Sequence, residues 1–230
     1  MALDYFRYYT RWNEYANRRR YDAPADPWTP IRVDPSDVDY YSTVSLKWGL
    51  GRVRAGEWDR PRNCDTLSGT KTVEGLRQRF EEGREWEETV YYRSAKEAFA
   101  EGDDVRGYET LAAFRAERCE RVDELFERIQ RDGYRPNYET TSDPPTEVER
   151  IHDLEPFVVI GRAGEVRWVE GYHRLVIASI LDIDEIPVYV VRRHEEWQRK
   201  RDEISETPID ERPPELEACA EHPDMQDVLS

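Results

Sequence analysis

The stretch 155–197, EPFVVIGRAGEVRWVEGYHRLVIASILDIDEIPVYVVRRHEEW, constrains the fold more than any other part of the chain. Short apolar runs near 156–160 and 165–169 predict two strands, joined by the turn Arg162-Ala163-Gly164-Glu165. A glycine then breaks the pattern at Gly171, and an apolar helix is expected over about 172–181. A further strand at 187–191 and a charged helix from 194 to about 204 complete the series.

The corner Gly171-Tyr172-His173-Arg174 joins the second strand to the helix. The first N–H groups of a helix lack internal partners, and the helix dipole adds partial positive charge there. Gly171 lets the backbone turn sharply, Arg174 can grip phosphate oxygens in pairs, and His173 can donate a bond or move a proton. These are the parts of an anion site. The alternative is a satisfied structural histidine beside a surface arginine. Glu170 is the candidate general base or metal ligand next to the corner, with an ion pair to Arg167 or Arg192 as its alternative role.

The order of elements resembles the ParB/sulfiredoxin superfamily. The matching residues are the helix end Leu125 to Pro136, the strand Pro156 to Ile160, the corner Glu170 to Leu175, and Ile186-Pro187-Val188-Tyr189-Val190. The resemblance is continuous over roughly 120–197, and residues 31–38 look like the family's opening strand. In that superfamily the Gly-x-x-Arg corner binds nucleotide phosphates, which would assign Gly171, Tyr172, His173 and Arg174 to phosphate or nucleotide. Glu170 and His173 would be the catalytic pair if there is chemistry. Sulfiredoxins carry their catalytic cysteine where this chain has Tyr172, so sulfinic-acid reduction is excluded. Partition proteins carry a metal-holding glutamate there, which a tyrosine does not replace, so their CTP hydrolysis is not carried over.

Elsewhere the sequence is less directive. Residues 1–20 predict a helix with Leu3, Phe6, Tyr9 and Asn13 near one face and five arginines around it. It is read as a docking helix whose aromatics pack on the domain; the alternative is aromatics and arginines that meet bases and phosphates. The glycine- and proline-rich run 48–63 offers Arg52, Arg54 and Asp59, which with Arg135 form a second tier of site residues that could close over the corner. Two helices are expected between Val73 and Gly102, one turning Val73, Leu76 and Phe80 inward and the other Trp86, Val90 and Ala98. Leu111, Phe114, Arg118, Val122, Leu125 and Ile129 recur at helical spacing up to Gly133. Residues 135–150 read as a loop. His194 is expected to open the last helix rather than join His152, Asp153 and His173 in a metal site, and no metal site is assigned.

The chain of 230 residues carries a net charge of −16, and only Lys47, Lys71, Lys96 and Lys200 among its 34 basic residues are lysine. That balance resembles proteins of salt-in halophilic archaea or their viruses. Molar salt screens surface charge within a few ångströms, so an acidic chain can still meet nucleic acid. No apolar run is long enough to cross a membrane, and the three scattered cysteines, Cys64, Cys119 and Cys219, fit a reducing, cytoplasmic setting.

The expected architecture is α+β: a small mixed sheet with flanking helices of ParB/sulfiredoxin type. Residues 1–25 form the basic, aromatic helix, 26–204 the domain with a helical insertion at about 40–110, and 205–230 a disordered acidic tail. The expected function is binding of nucleotide or nucleic-acid phosphate, with a nucleoside triphosphate and Mg²⁺ as the cofactor. Phosphoryl transfer or phosphodiester hydrolysis is the chemistry open to such a site. The competing reading is a non-catalytic interaction or DNA-associated module that keeps the fold.

Overall fold

The computed structural model describes residues 3–60, 65–137, 146 and 151–229. It is a mixed α+β architecture. Strands β1 (Ile31–Val33), β2 (Tyr40–Tyr41), β3 (Arg52–Arg54), β4 (Asp65–Thr66), β5 (Phe157–Ile160), β6 (Val166–Glu170) and β7 (Ile186–His194) form one sheet. Their order is β1-β7-β5-β6-β2-β4, and β3 also pairs with β7. β5 runs parallel to β7 and antiparallel to β6, which is the strand–turn–strand expected from the sequence.

β7 is longer than its apolar run suggested, because Arg192, Arg193 and His194 continue the strand. Its first half pairs with β1 and its last three residues pair with β3. The register against β5 slips between Val158↔Val190 and Val159↔Arg192, leaving Val191 as the extra residue of a bulge. A bulge changes which face the following side chains take. Arg192 thereby falls on the face of Val159, and Arg193 on the face of Ile160.

Each face has its own core. Val158, Ile160, Trp168, Val188 and Val190 pack with helices α2 (Lys71–Phe80), α3 (Val90–Glu101) and the later helices. These include α4 (Leu111–Ala113), a π-helical segment Phe114–Cys119, α5 (Glu120–Asp132) and α6 (Tyr172–Ile180). The other face buries Phe157, Val159, Tyr189 and Val191 beneath α1 (Leu3–Arg18).

α1 is a docking helix, as expected, but of its aromatics Phe6 is the one that is buried, against Trp28 and Phe157. Its buried residues are Phe6, Thr10, Asn13 and Asn17. Asn13 Nδ2 donates to Trp48 O (2.8 Å) and Leu50 O (2.9 Å), Asn17 Nδ2 donates to Gly51 O (2.7 Å), and Thr10 Oγ1 accepts from Leu50 N (3.0 Å). Buried hydrogen bonds of this kind contribute about 1 kcal/mol each. Gly49 makes the approach possible, since a Cβ there would lie 2.4 Å from Thr10 N. Phe6 and Asn13 of the expected face are thus buried, whereas the aromatics Tyr5, Tyr8, Trp12 and Tyr15 face solvent, 54–65% exposed.

Three other expectations change. The region 40–110 is not an appended helical insertion: it supplies β2, β3 and β4 to the sheet, and its α2 packs on α6. Within it, the second helix starts only at Val90 and turns Tyr91 and Ala95 inward, while Trp86 is buried in a preceding 3₁₀ turn. The acidic tail is folded through residue 229. α7 (Glu195–Glu206) is followed by α8 (Pro214–Ala220) and α9 (Gln226–Leu229), with Leu216, Ala220 and Met225 buried. The tail composition hid one decisive contact. Asp224 is buried and accepts from Arg193 Nε (2.9 Å) and Trp197 Nε1 (3.0 Å), with Arg201 3.6 Å away. The loop expected at 135–150 lies mostly outside the described residues, and no described helix is long and apolar enough to cross a membrane.

Burial alone would raise the Asp224 carboxyl pKa, but Arg193 and then Arg201 reverse this and hold it below the usual carboxylate range. A depressed pKa means the stabilisation is present above the ordinary carboxylate range and is lost as pH falls through the folded value. Replacement Asp224→Ala takes the paired carboxylate from buried Arg193, leaves Arg201 with Asp227 alone, and should cost about 3–5 kcal/mol in urea denaturation. The variant should also lack the part of the acid-induced loss of stability below about pH 4 that Asp224 supplies.

Candidate functional site

The strand β6 ends at Glu170, and Gly171 begins α6 with φ 91° and ψ 31°, a left-handed conformation that favours glycine. A Cβ at Gly171 would lie 2.8 Å from Pro156 Cβ, so the residue also permits close packing of the corner on the start of β5. The helix opens without a side-chain cap. Its three first side chains diverge, because successive residues of an α-helix are about 100° apart.

Tyr172 leans on Tyr41 of β2, ring centroids 6.3 Å apart, and burial followed by the Glu170 charge pushes its hydroxyl pKa upward. It packs and stays protonated. His173 points toward α3 and the π-helical segment. Its ring nitrogens lie 3.4 Å from the Tyr91 hydroxyl (Nε2) and 3.2 Å from Arg118 Nη2 (Nδ1). Burial, with Arg118 and Arg106 beside it, pushes the imidazole pKa down to about 3. His173 is therefore neutral near pH 7 and suited to accepting a bond from Arg118, not to serving as a cationic phosphate donor.

Arg174 takes a third direction, into a network with Tyr134, Asn137 and Glu155. Nη1 donates to Tyr134 Oη (3.2 Å) and Glu155 Oε2 (3.4 Å), and Nη2 donates to Asn137 Oδ1. Glu155 is 1% exposed and also accepts from Asn137 N. The Tyr134 hydroxyl pKa is pushed up to about 12, first by burial and then by Glu155 against the opposing pull of Arg174. The guanidinium lies 5.4 Å from the centre of the Tyr134 ring. Even so, Arg174 lines a cleft of about 230 Å³ together with Arg128, Asp132 and Arg135.

Glu170 Oε1 accepts from Gly171 N at 3.3 Å, and no hydrogen bond or ion pair joins it to His173 among the described residues. Among the second-tier residues, Arg135 does share the Arg174 cleft. Arg52 and Arg54 do not close over the corner. They pair with the far end of β7, and β7 and β5 both stand between β3 and the strand β6 that leads into Gly171. Asp59 is committed elsewhere: it accepts from Arg162 Nε (2.9 Å), Nη2 (2.7 Å) and backbone N (2.9 Å). Burial opposes its ionisation, but the Arg162 hydrogen bonds hold its pKa down to about 2.

His194 opens α7 as expected, with Nδ1 accepting from Glu196 N (3.2 Å) and Nε2 2.9 Å from Gly56 O. No metal-holding group of His, Cys, Asp and Glu occurs among the described residues. The Cys119 thiol is buried, and desolvation pushes its pKa up to about 12, which makes it unreactive.

The sequence reading did not single out Arg128, Tyr134, Asn137, Glu155 or Tyr91. Arg118 did leave a trace, since it occupies an inward position in an otherwise apolar helical pattern. No protein family, curated protein or solved structure matches the chain.

Because Gly171 combines positive φ with a close approach to Pro156, Gly171→Ala should destabilise the protein by about 1–3 kcal/mol. Thermal melts of wild type and variant measure the difference. An unchanged melt would show that the corner has room for a side chain.

Proposed function

We propose that the protein binds a nucleotide or a nucleic-acid phosphate group in the cleft lined by Arg128, Arg135 and Arg174. The observation that carries this reading is the convergence of arginines from two separate elements on one concavity. Arg128 and Arg135 come from α5 and the chain just after it, and Arg174 comes from the first turn of α6. Guanidinium groups are suited to phosphate because their planar donors match its oxygens in pairs. Glu155 and Asn137 fix Arg174 in orientation, so the mobile part of the site is Arg128 and Arg135.

The ParB/sulfiredoxin type of fold, proposed from the order of β5, β6, the Gly-x-x-Arg corner, α6 and β7, is consistent with this position. Arg174 would then be the superfamily's corner arginine. The reading departs from the family pattern in that His173 faces Arg118 and not the cleft. Triphosphate would bring Mg²⁺ with it, and Asp132 is the carboxylate lining the cleft. The alternative is binding without turnover in a non-catalytic interaction module.

Titration calorimetry with ATP, CTP and GTP in the presence of Mg²⁺ tests the reading. Binding of at least one nucleotide is expected, with Arg128→Ala and Arg135→Ala together weakening it about tenfold or more. Arg174→Ala should abolish it too, but it also removes a cation from beside the buried Glu155 and should cost about 3 kcal/mol of stability. Absence of binding for all three nucleotides, or equal binding by the Arg128/Arg135 double variant, overturns the proposal.

A further inference from the structure

The face of the sheet covered by α1 carries a second group of cations, remote from the cleft. Arg52 and Arg54 lie on one face of β3, and their register partners on β7 are Arg192 and His194. The β7 bulge turns Arg192 to this face, against its neighbours. None of Lys47, Arg52, Arg54 and Arg192 forms an ion pair among the described residues, although the chain carries a net charge of −16. Arg192 Nε is buried with no hydrogen-bond partner among the described residues. Desolvation, with Arg52 and Arg54 adding like charge, lowers the Arg192 pKa to about 10.

Aromatic rings run between these cations without a gap. The Arg192 guanidinium sits 5.2 Å from the Trp58 ring centre, and Arg52 and Lys47 sit 4.8 and 4.9 Å from that of Trp48. Trp48 meets Tyr9 of α1 at 4.9 Å, and Tyr9 meets Tyr8 at 5.3 Å. From there the exposed stripe Tyr5, Tyr8, Trp12 and Tyr15 continues along the outer side of the helix. The stripe needs an explanation, because the docking of α1 uses Phe6, Thr10, Asn13 and Asn17 instead.

We propose that this face is a track for single-stranded nucleic acid. Lys47, Arg52, Arg54 and Arg192 hold phosphates, while Trp48 and the outward aromatics of α1 stack on bases. Alternating cations and rings, in a path longer than one nucleotide, match a strand with a charged backbone and unpaired π-faces. A duplex hides those faces, so it gains only the phosphate contacts. An apolar protein partner would leave these cations without an anion. The track does not depend on the cleft of Arg128, Arg135 and Arg174.

Fluorescence anisotropy of the full chain with a fluorescein-labelled oligo-dT of about 15 nucleotides, beside a duplex of equal length, tests the track. The single strand should bind more tightly than the duplex and should quench tryptophan emission. With Lys47, Arg52, Arg54 and Arg192 each meeting a phosphate, log affinity should fall against log salt with a slope of about −3. Arg52→Gln with Arg54→Gln should reduce that slope by about 1.4 and weaken binding about tenfold or more. Tyr8→Ala with Trp12→Ala, both on the exposed side of α1, should weaken binding about tenfold and leave the slope unchanged. Arg128→Ala with Arg135→Ala should leave oligo-dT binding intact, which separates the track from the cleft. Circular dichroism checks that each variant is folded. No binding of oligo-dT, or binding indifferent to the β3 and α1 variants, overturns the proposal. So does a doubled mass in light scattering that the same variants abolish, since the face would then join two copies of the chain.

Discussion

The parallel pairing of β5 with β7 is the contact on which the other parts of the structure depend. Phe157–Ile160 is buried on both sides, and β7 is buried along nearly its whole length. A strand in that position needs cover on both faces, and the chain supplies α2, α3, α5 and α6 on one side and α1 on the other. The bulge at Val191 is part of the same pairing. It decides which face each of two adjacent arginines takes. Arg193 enters a buried ion pair with Asp224, and Arg192 joins Arg52 beside Trp58.

Much of the segment around this pairing was legible in the sequence. Strand–turn–strand, the glycine corner, α6 and the next strand follow from short apolar runs punctuated by glycine, and the observed order agrees. The α5 pattern was equally clear. Three things were hidden for physical reasons. The extension of β7 through Arg192-Arg193-His194 has no hydrophobic signature, because its charges are satisfied by distant residues or left facing the Trp58 side. The folded tail was masked by composition: residues 202–230 hold ten acids against Arg212, yet one of those acids is the buried partner of Arg193. In the seam beneath α1, Phe6 and Asn13 were on the expected face, but the polar Thr10 and Asn17 escaped a search for apolar positions.

At the corner itself, residue types were legible and directions were not. Gly-Tyr-His-Arg reads as one cluster along the sequence, but a helix spreads three successive side chains around its axis. Tyr172 reaches Tyr41, His173 reaches Arg118, and Arg174 reaches Glu155. What each residue does was therefore decided by partners from remote parts of the chain. The π-helical segment Phe114–Cys119, which carries Arg118, has no counterpart in the 3.6-residue spacing that identified its helix. Such segments are often found where a side chain must be presented at an angle that a regular helix does not offer.

The clasp between Arg193 and Asp224 also sets an order of events as the chain is made. Arg193 lies within the strand at the centre of the sheet, whereas its anion is 31 residues further on. While a nascent chain still lacks that anion, burying the end of β7 leaves a desolvated cation, so the sheet gains little by closing early. The buried end of β7 is therefore complete only when the segment that carries Asp224 is in place.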